Sequence, residues 1–115
     1  MDGRRLLDLS EDELDDGTFV LGLGGELDVA NAPVLKHVLR AAEARGHPRI
    51  VVDLSDVPLI DSTGLSVLVS SHKRLRRDGR ALLVVIPEAG LLMKFEIAGL
   101  DRLLSIAPSR AAALG

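Results

Sequence analysis

The chain has no cysteine, tryptophan or tyrosine, and Phe19 and Phe95 are its only aromatic residues. Without cysteine there is no disulfide, no zinc–thiolate centre and no thiol nucleophile. Two rings do not make a set of stacking platforms for single-stranded nucleic acid. A net charge of −3 points the same way, because a nucleic-acid reader needs a basic footprint. Long apolar runs are also missing. No stretch approaches the ~20 residues of a bilayer-spanning helix, and "MDGRRLLDLSEDELDD" holds no signal-peptide core. His37, His47 and His72 lie far apart, without the spacing of a helical metal site. The expectation is a cytoplasmic protein with no metal, no cofactor, no nucleic-acid partner and no membrane insertion.

What is present is an aliphatic globular composition. Of the 115 residues, 47% are hydrophobic and 27% charged, enough to bury the core of one domain spanning 1–115. "RRLLDLS" reads as a first strand at a sheet edge, after which "EDELDDG" turns the chain. "TFVLGLGGEL" places Phe19, Leu21 and Leu23 at period two, a strand. Asn31 reads as an N-cap with Pro33 in the first turn. Val34, Leu35, Val38, Leu39 and Ala42 then follow at helical spacing, stopped by Gly46 and Pro48. "RIVVDL" reads as a buried central strand, with a loop around "SDVP" after it. A second helix follows, with inner face Leu65, Leu68, Val69, His72 and Leu75, ending at Gly79. "ALLVVI" is a strand ended by Pro87. A third helix ending near Gly99, a strand at "LLSI" and a short terminal helix complete the order. Strands alternating with helices predict an α/β domain: a mixed, mostly parallel sheet of about five strands. The basic run "HKRLRRDGR" reads as a solvated helix face.

Two stretches invite chemistry. "GLGGEL" starts like a dinucleotide fingerprint, but position 27 is Leu and no helix opens directly. "LIDSTGLSVL" carries Ser62, which as a hydrolase nucleophile would want glycine at 60, where Ile stands. As a helix cap, Asp61 or Ser62 would accept from orphan N–H groups. As a phosphoacceptor, an exposed Ser62 hydroxyl would place its phosphate among unsatisfied N–H groups at the positive end of the helix dipole. Thr63 offers a second hydroxyl.

"GGELDVANAPVLKHVL" (24–39), "RIVVDLSDVPLIDSTGLSVLVSSHKRLRRDGRALLVV" (49–85) and "LMKFEIAGLDRLLSI" (92–106) together resemble the single-domain bacterial anti-sigma factor antagonists of the STAS domain family. The resemblance implies a non-enzymatic STAS fold in a partner-switching cycle. The unphosphorylated antagonist binds an anti-sigma factor that is also a serine kinase, freeing the sigma factor. The kinase uses its own ATP to phosphorylate the antagonist, and a serine phosphatase resets it. On this sequence the phosphorylated serine falls on Ser62, with Thr63 the second candidate, and the partner-binding residues on Asp28, Asp61, Ser62, Thr63 and Gly64. If the strands before Asp28 and Asp61 are neighbours, both carboxylates gather near Ser62. The alternative on the same fold is a constitutive scaffold or accessory subunit of a lipid-transport or stress-signalling complex, with no phospho-switch.

Overall fold

Short β-branched and aliphatic runs separated by helical spacing leave the chain few ways to hide its apolar side chains. The computed structural model describes residues 7–115. Its elements run β1 (Asp8–Glu13), β2 (Phe19–Gly24), α1 (Ala32–Ala44), β3 (Arg49–Asp56), α2 (Ser62–Arg77), β4 (Ala81–Val85), α3 (Ala89–Ile97), β5 (Ser105–Ala107) and α4 (Arg110–Leu114). The five strands lie side by side in chain order. The β1–β2 pair is antiparallel, and every later pair is parallel. The α/β reading stands, with the antiparallel strand at the edge.

Because each right-handed crossover steps to the next strand in the same direction, α1, α2 and α3 gather on one face. Phe19, Leu21 and Leu23 of β2 meet Leu35 and Leu39 of α1, Leu68 and Leu75 of α2, and Phe95 of α3 there, all buried. The other face carries a smaller cluster, Val20, Val51 and Val85, capped by Ala113 of α4. Both phenylalanines are core: Phe19 is 1% exposed and Phe95 0%. Among the described residues, no helix is long and apolar enough to cross a membrane.

The predicted first strand is corrected. Residues 8–10 of "RRLLDLS" do begin β1, while 4–6 lie outside the described residues. The strand then continues through Glu11, Asp12 and Glu13, which were expected to turn. These acids pair with Leu21, Val20 and Phe19. As an edge strand whose every residue is exposed, β1 tolerates carboxylates, and such charge guards an edge against stray pairing. The loop expected at "SDVP" also starts later, because β3 runs on to Asp56, whose carbonyl accepts the Gly25 N–H.

The inner face of α2 is Gly64, Leu68, Ser71 and Leu75; Leu65, Val69 and His72 are half-buried at its flank. Ser71 is 0% exposed because its hydroxyl donates to Glu43 at 2.8 Å. The basic run is only partly solvated. Lys73, Arg76 and Arg77 are exposed, but Arg74 grips Glu43 at 2.6 and 3.0 Å. Arg80 donates to the carbonyls of His47 and Glu43, closing the end of α1. Helices stop where expected: Gly46, Gly79 and Gly99 take φ of +83°, +71° and +74°.

Candidate functional site

Parallel neighbours bring their C-terminal ends to one edge, the usual place for a site in an open α/β sheet. Beyond β2 and β3 the two chains stay together through a bridge between Leu27 and Ile60. Leu27 N–H donates to the Leu59 carbonyl at 2.9 Å, and Asp61 N–H to the Leu27 carbonyl at 3.0 Å. The β2–α1 turn carrying Asp28 is therefore laid against the β3–α2 turn carrying Asp61.

Each aspartate organises its own turn. Asp28 Oδ1 accepts the N–H groups of Ala30 and Asn31, both at 3.0 Å. Asn31 occupies the N-cap position of α1 but makes no side-chain cap bond. Its amide instead donates to the Glu26 carbonyl at 2.8 Å. The turn-forming role expected of Asn31 thus passes upstream to Asp28, whose carboxylate accepts from the backbone two and three residues on and so fixes the turn ahead of α1. Asp61 is the N-cap of α2: Oδ1 accepts from Thr63 and Gly64 at 2.9 and 3.1 Å. Its other oxygen, Oδ2, accepts the Val29 N–H at 3.1 Å and so ties the two turns together.

Gly64 explains why the turns can come so close. A Cβ there would lie 2.9 Å from the Leu27 carbonyl oxygen and 2.9 Å from Ile60 Cγ1. Ser62 is the first residue of α2 and is exposed. Its hydroxyl has no hydrogen-bond partner among the described residues, while its carbonyl accepts from Ser66 Oγ at 2.8 Å. Ser62 and Thr63 open in different directions. Ser62 borders a groove of about 330 Å³ shared with Leu65, Val69, Ala98 and Leu100. Thr63 borders a separate groove of about 560 Å³ between α1 and α2.

One expectation needs correction. The N–H groups of Thr63 and Gly64 at the start of α2 are not free for a phosphate. Asp61 holds those of Thr63 and Gly64 with its carboxylate and that of Leu65 with its carbonyl. A carboxylate already occupies the anion site that a helix N-terminus offers.

The sequence reading missed the surroundings. Lys94 of α3 reaches the Ile60 carbonyl at 3.1 Å. Val29, Leu59 and Ile97, in segments adjoining the Ser62 turn, are 70%, 40% and 80% exposed. Val29 is the one of these with a sequence signal, an apolar residue placed inside a capping turn. A concavity of about 790 Å³ lies on the opposite face beside Asp53 and Arg110, and it contains none of the five site residues. The Ser62 edge brings two exposed hydroxyls, those of Ser62 and Thr63, onto the paired turns. Among the described residues no cluster of His, Asp or Glu is arranged to hold a metal.

Comparison with known proteins bears on the family and the fold. The STAS domain profile matches residues 11–113. The anti-sigma-B factor antagonist of Staphylococcus aureus is 34% identical over 91 residues, which cover 79% of this chain and 84% of that protein. A candidate anti-sigma factor antagonist from Thermotoga maritima superposes with a TM-score of 0.85 at 27% identity, over 92% of this chain and 91% of that one. The unphosphorylated form of SpoIIAA, an anti-sigma factor antagonist and Bacillus cell fate determinant, superposes at 0.77 over 93% of each chain. At 18% identity that likeness concerns the fold.

Proposed function

The chain belongs to the STAS domain family, and on that premise we propose that it is an anti-sigma factor antagonist, acting by binding rather than by catalysis. In its unphosphorylated form it docks an anti-sigma factor serine kinase and so frees the sigma factor. Phosphorylation of Ser62 by that kinase reverses the docking, and a serine phosphatase resets the chain. The kinase brings the ATP.

One observation carries this reading: the exposed, unpartnered hydroxyl of Ser62 sits on the paired Asp28 and Asp61 turns, with apolar side chains exposed beside it. A kinase can reach such a hydroxyl without unfolding the domain. The phosphate brings about −1.5 to −2 charges at neutral pH. Because Asp61 already holds the N–H groups of Thr63 and Gly64, the phosphate adds charge beside charge instead of taking the place of that carboxylate at the helix terminus. A repulsion of ~3 kcal/mol at a docked surface weakens binding by roughly two orders of magnitude. Asp28, Asp61, Thr63 and Gly64 shape the surface the partner reads. SpoIIAA, a protein of this fold, exists in unphosphorylated and phosphorylated forms.

The test is incubation with the cognate kinase and ATP, followed by mass spectrometry of the peptide carrying 59–73. Phosphate on Ser62 is the expected result. Phosphate on Thr63 alone moves the switch into the other groove, and phosphate on neither residue ends it. In binding measurements Ser62→Ala holds the kinase persistently and Ser62→Asp weakly. Equal retention of both variants would instead mark a constitutive scaffold.

A further inference from the structure

The protein is acidic overall, at −3, yet the charged side chains bordering the α1–α2 groove are all basic: Lys36, Arg40 and Arg74. Arg74 is committed to Glu43. Lys36 and Arg40 are exposed and make no ion pair among the described residues. The dipole at the end of α2 accounts for basic residues in its last turn. It does not account for Lys36 and Arg40, which lie along the middle of α1.

The shape is as specific as the charge. The groove holds about 560 Å³ and opens beside Thr63, next to the Ser62 turn. Its open end is apolar, bordered by Val29, Pro33 and Val67, and its far end is basic. One wall follows Pro33, Lys36 and Arg40 of α1, and the other follows Thr63, Val67 and Ser70 of α2. Both series run at intervals of three and four, so each wall is a helix ridge. A trough between two such ridges receives a third helix.

We propose that the α1–α2 groove docks an acidic amphipathic helix of the partner protein, its apolar side chains against Val29, Pro33 and Val67 and its carboxylates on Lys36 and Arg40. The proposal rests on the reading that the anti-sigma factor engages the Ser62 turn, because the groove opens at that turn. Charge complementarity selects the occupant. A nucleic-acid strand would want the same cations, but both aromatic rings it could stack on are buried.

The experiment titrates a synthetic amphipathic helix, leucine on one face and glutamate on its flanks, into the nitrogen-15-labelled chain. Amide shifts should cluster at Pro33-flanking residues, Lys36, Arg40, Val67 and Ser70, and binding should weaken as salt rises. The Lys36→Glu/Arg40→Glu variant should lose about tenfold or more in affinity. A control reversal outside the groove, Lys73→Glu/Arg76→Glu, should stay within about twofold. Shifts scattered over all basic residues, equal affinity in the two reversal variants, or tighter groove binding by a single-stranded oligonucleotide would each overturn the proposal. The titration contains no anti-sigma factor. Its failure leaves the Ser62 phosphorylation assay standing, and failure of that assay leaves the titration readable.

Discussion

Gly64 shows how much one missing methyl group can matter. The Leu27 carbonyl that its Cβ would strike at 2.9 Å is the acceptor of the Asp61 N–H. Gly64→Ala therefore has to part the two turns, an overpacking that costs about 1–3 kcal/mol. A urea midpoint lowered accordingly is the expected outcome, and an unchanged midpoint would refute the close-approach argument. Asp61→Ala acts on the same junction from the other side, since it removes the acceptor of three backbone N–H groups. Its cost is of the order of a lost cap, ~1–2 kcal/mol. Amide exchange should accelerate at Val29, Thr63 and Gly64 while Val51 in the sheet is spared; uniform acceleration would mean that Asp61 serves only global stability. The motif at 61–64 was legible as letters. Its physical reason was not, because Leu27 lies in the turn after β2 and Ile60 in the loop after β3, and only the assembled sheet brings the two together.

At the scale of elements, α1 and α2 are joined by a half-buried ionic cluster as well as by leucines. Burial pushes the Glu43 carboxyl up, but hydrogen bonds from Arg74 and Ser71 prevail and hold it below its ordinary value of 4.5. A carboxyl whose pKa is lowered by folding stabilises the native state above its unfolded value and loses that contribution as the pH falls. Acid titration of stability should show a loss beginning below about 4.5 that is shallower in Glu43→Gln. An identical acid limb in both proteins would place the cluster outside the stability balance. Helix spacing had announced α1 and α2, and their glycine stops were correct. The rotation of α2 about its axis was not legible. A reader of apolar periodicity leaves Gly64 and Ser71 out of the stripe, whereas the fold buries both, one for its lack of bulk and one for its bond to Glu43.

At the scale of the whole molecule the two faces of the sheet are unequal. Three helices cover one face, and α4, five residues long, covers part of the other. That short helix is pinned by Arg110, which bonds Asp53 in the central strand at 2.5 Å. Gly22 makes room, since a Cβ there would lie 2.8 Å from the Arg110 guanidinium and 2.3 Å from Ser10 Oγ. Burial raises the Asp53 carboxyl, and hydrogen bonds from Ser55 and Arg110 outweigh it, so the group stays ionised below its ordinary 3.8. Deleting 109–115 should uncover Val20, Val51 and Val85 and cost at least about 2 kcal/mol. Thermal unfolding checks this, and an unshifted midpoint would show α4 to be ornamental. The mostly parallel sheet with its antiparallel edge strand was readable from the alternation of strands and helices; the order of the strands was not. The Asp53–Arg110 pair was not, because it joins residues 57 positions apart on different elements.

The bond from Val29 to Asp61 spans 32 residues, and this has a consequence in time. While the chain is being made, neither turn can hold its final shape until β2, α1 and β3 have all emerged and docked. The surface around Ser62 therefore exists only on a finished domain. An enzyme that recognises that surface would spend no phosphate on a chain still folding.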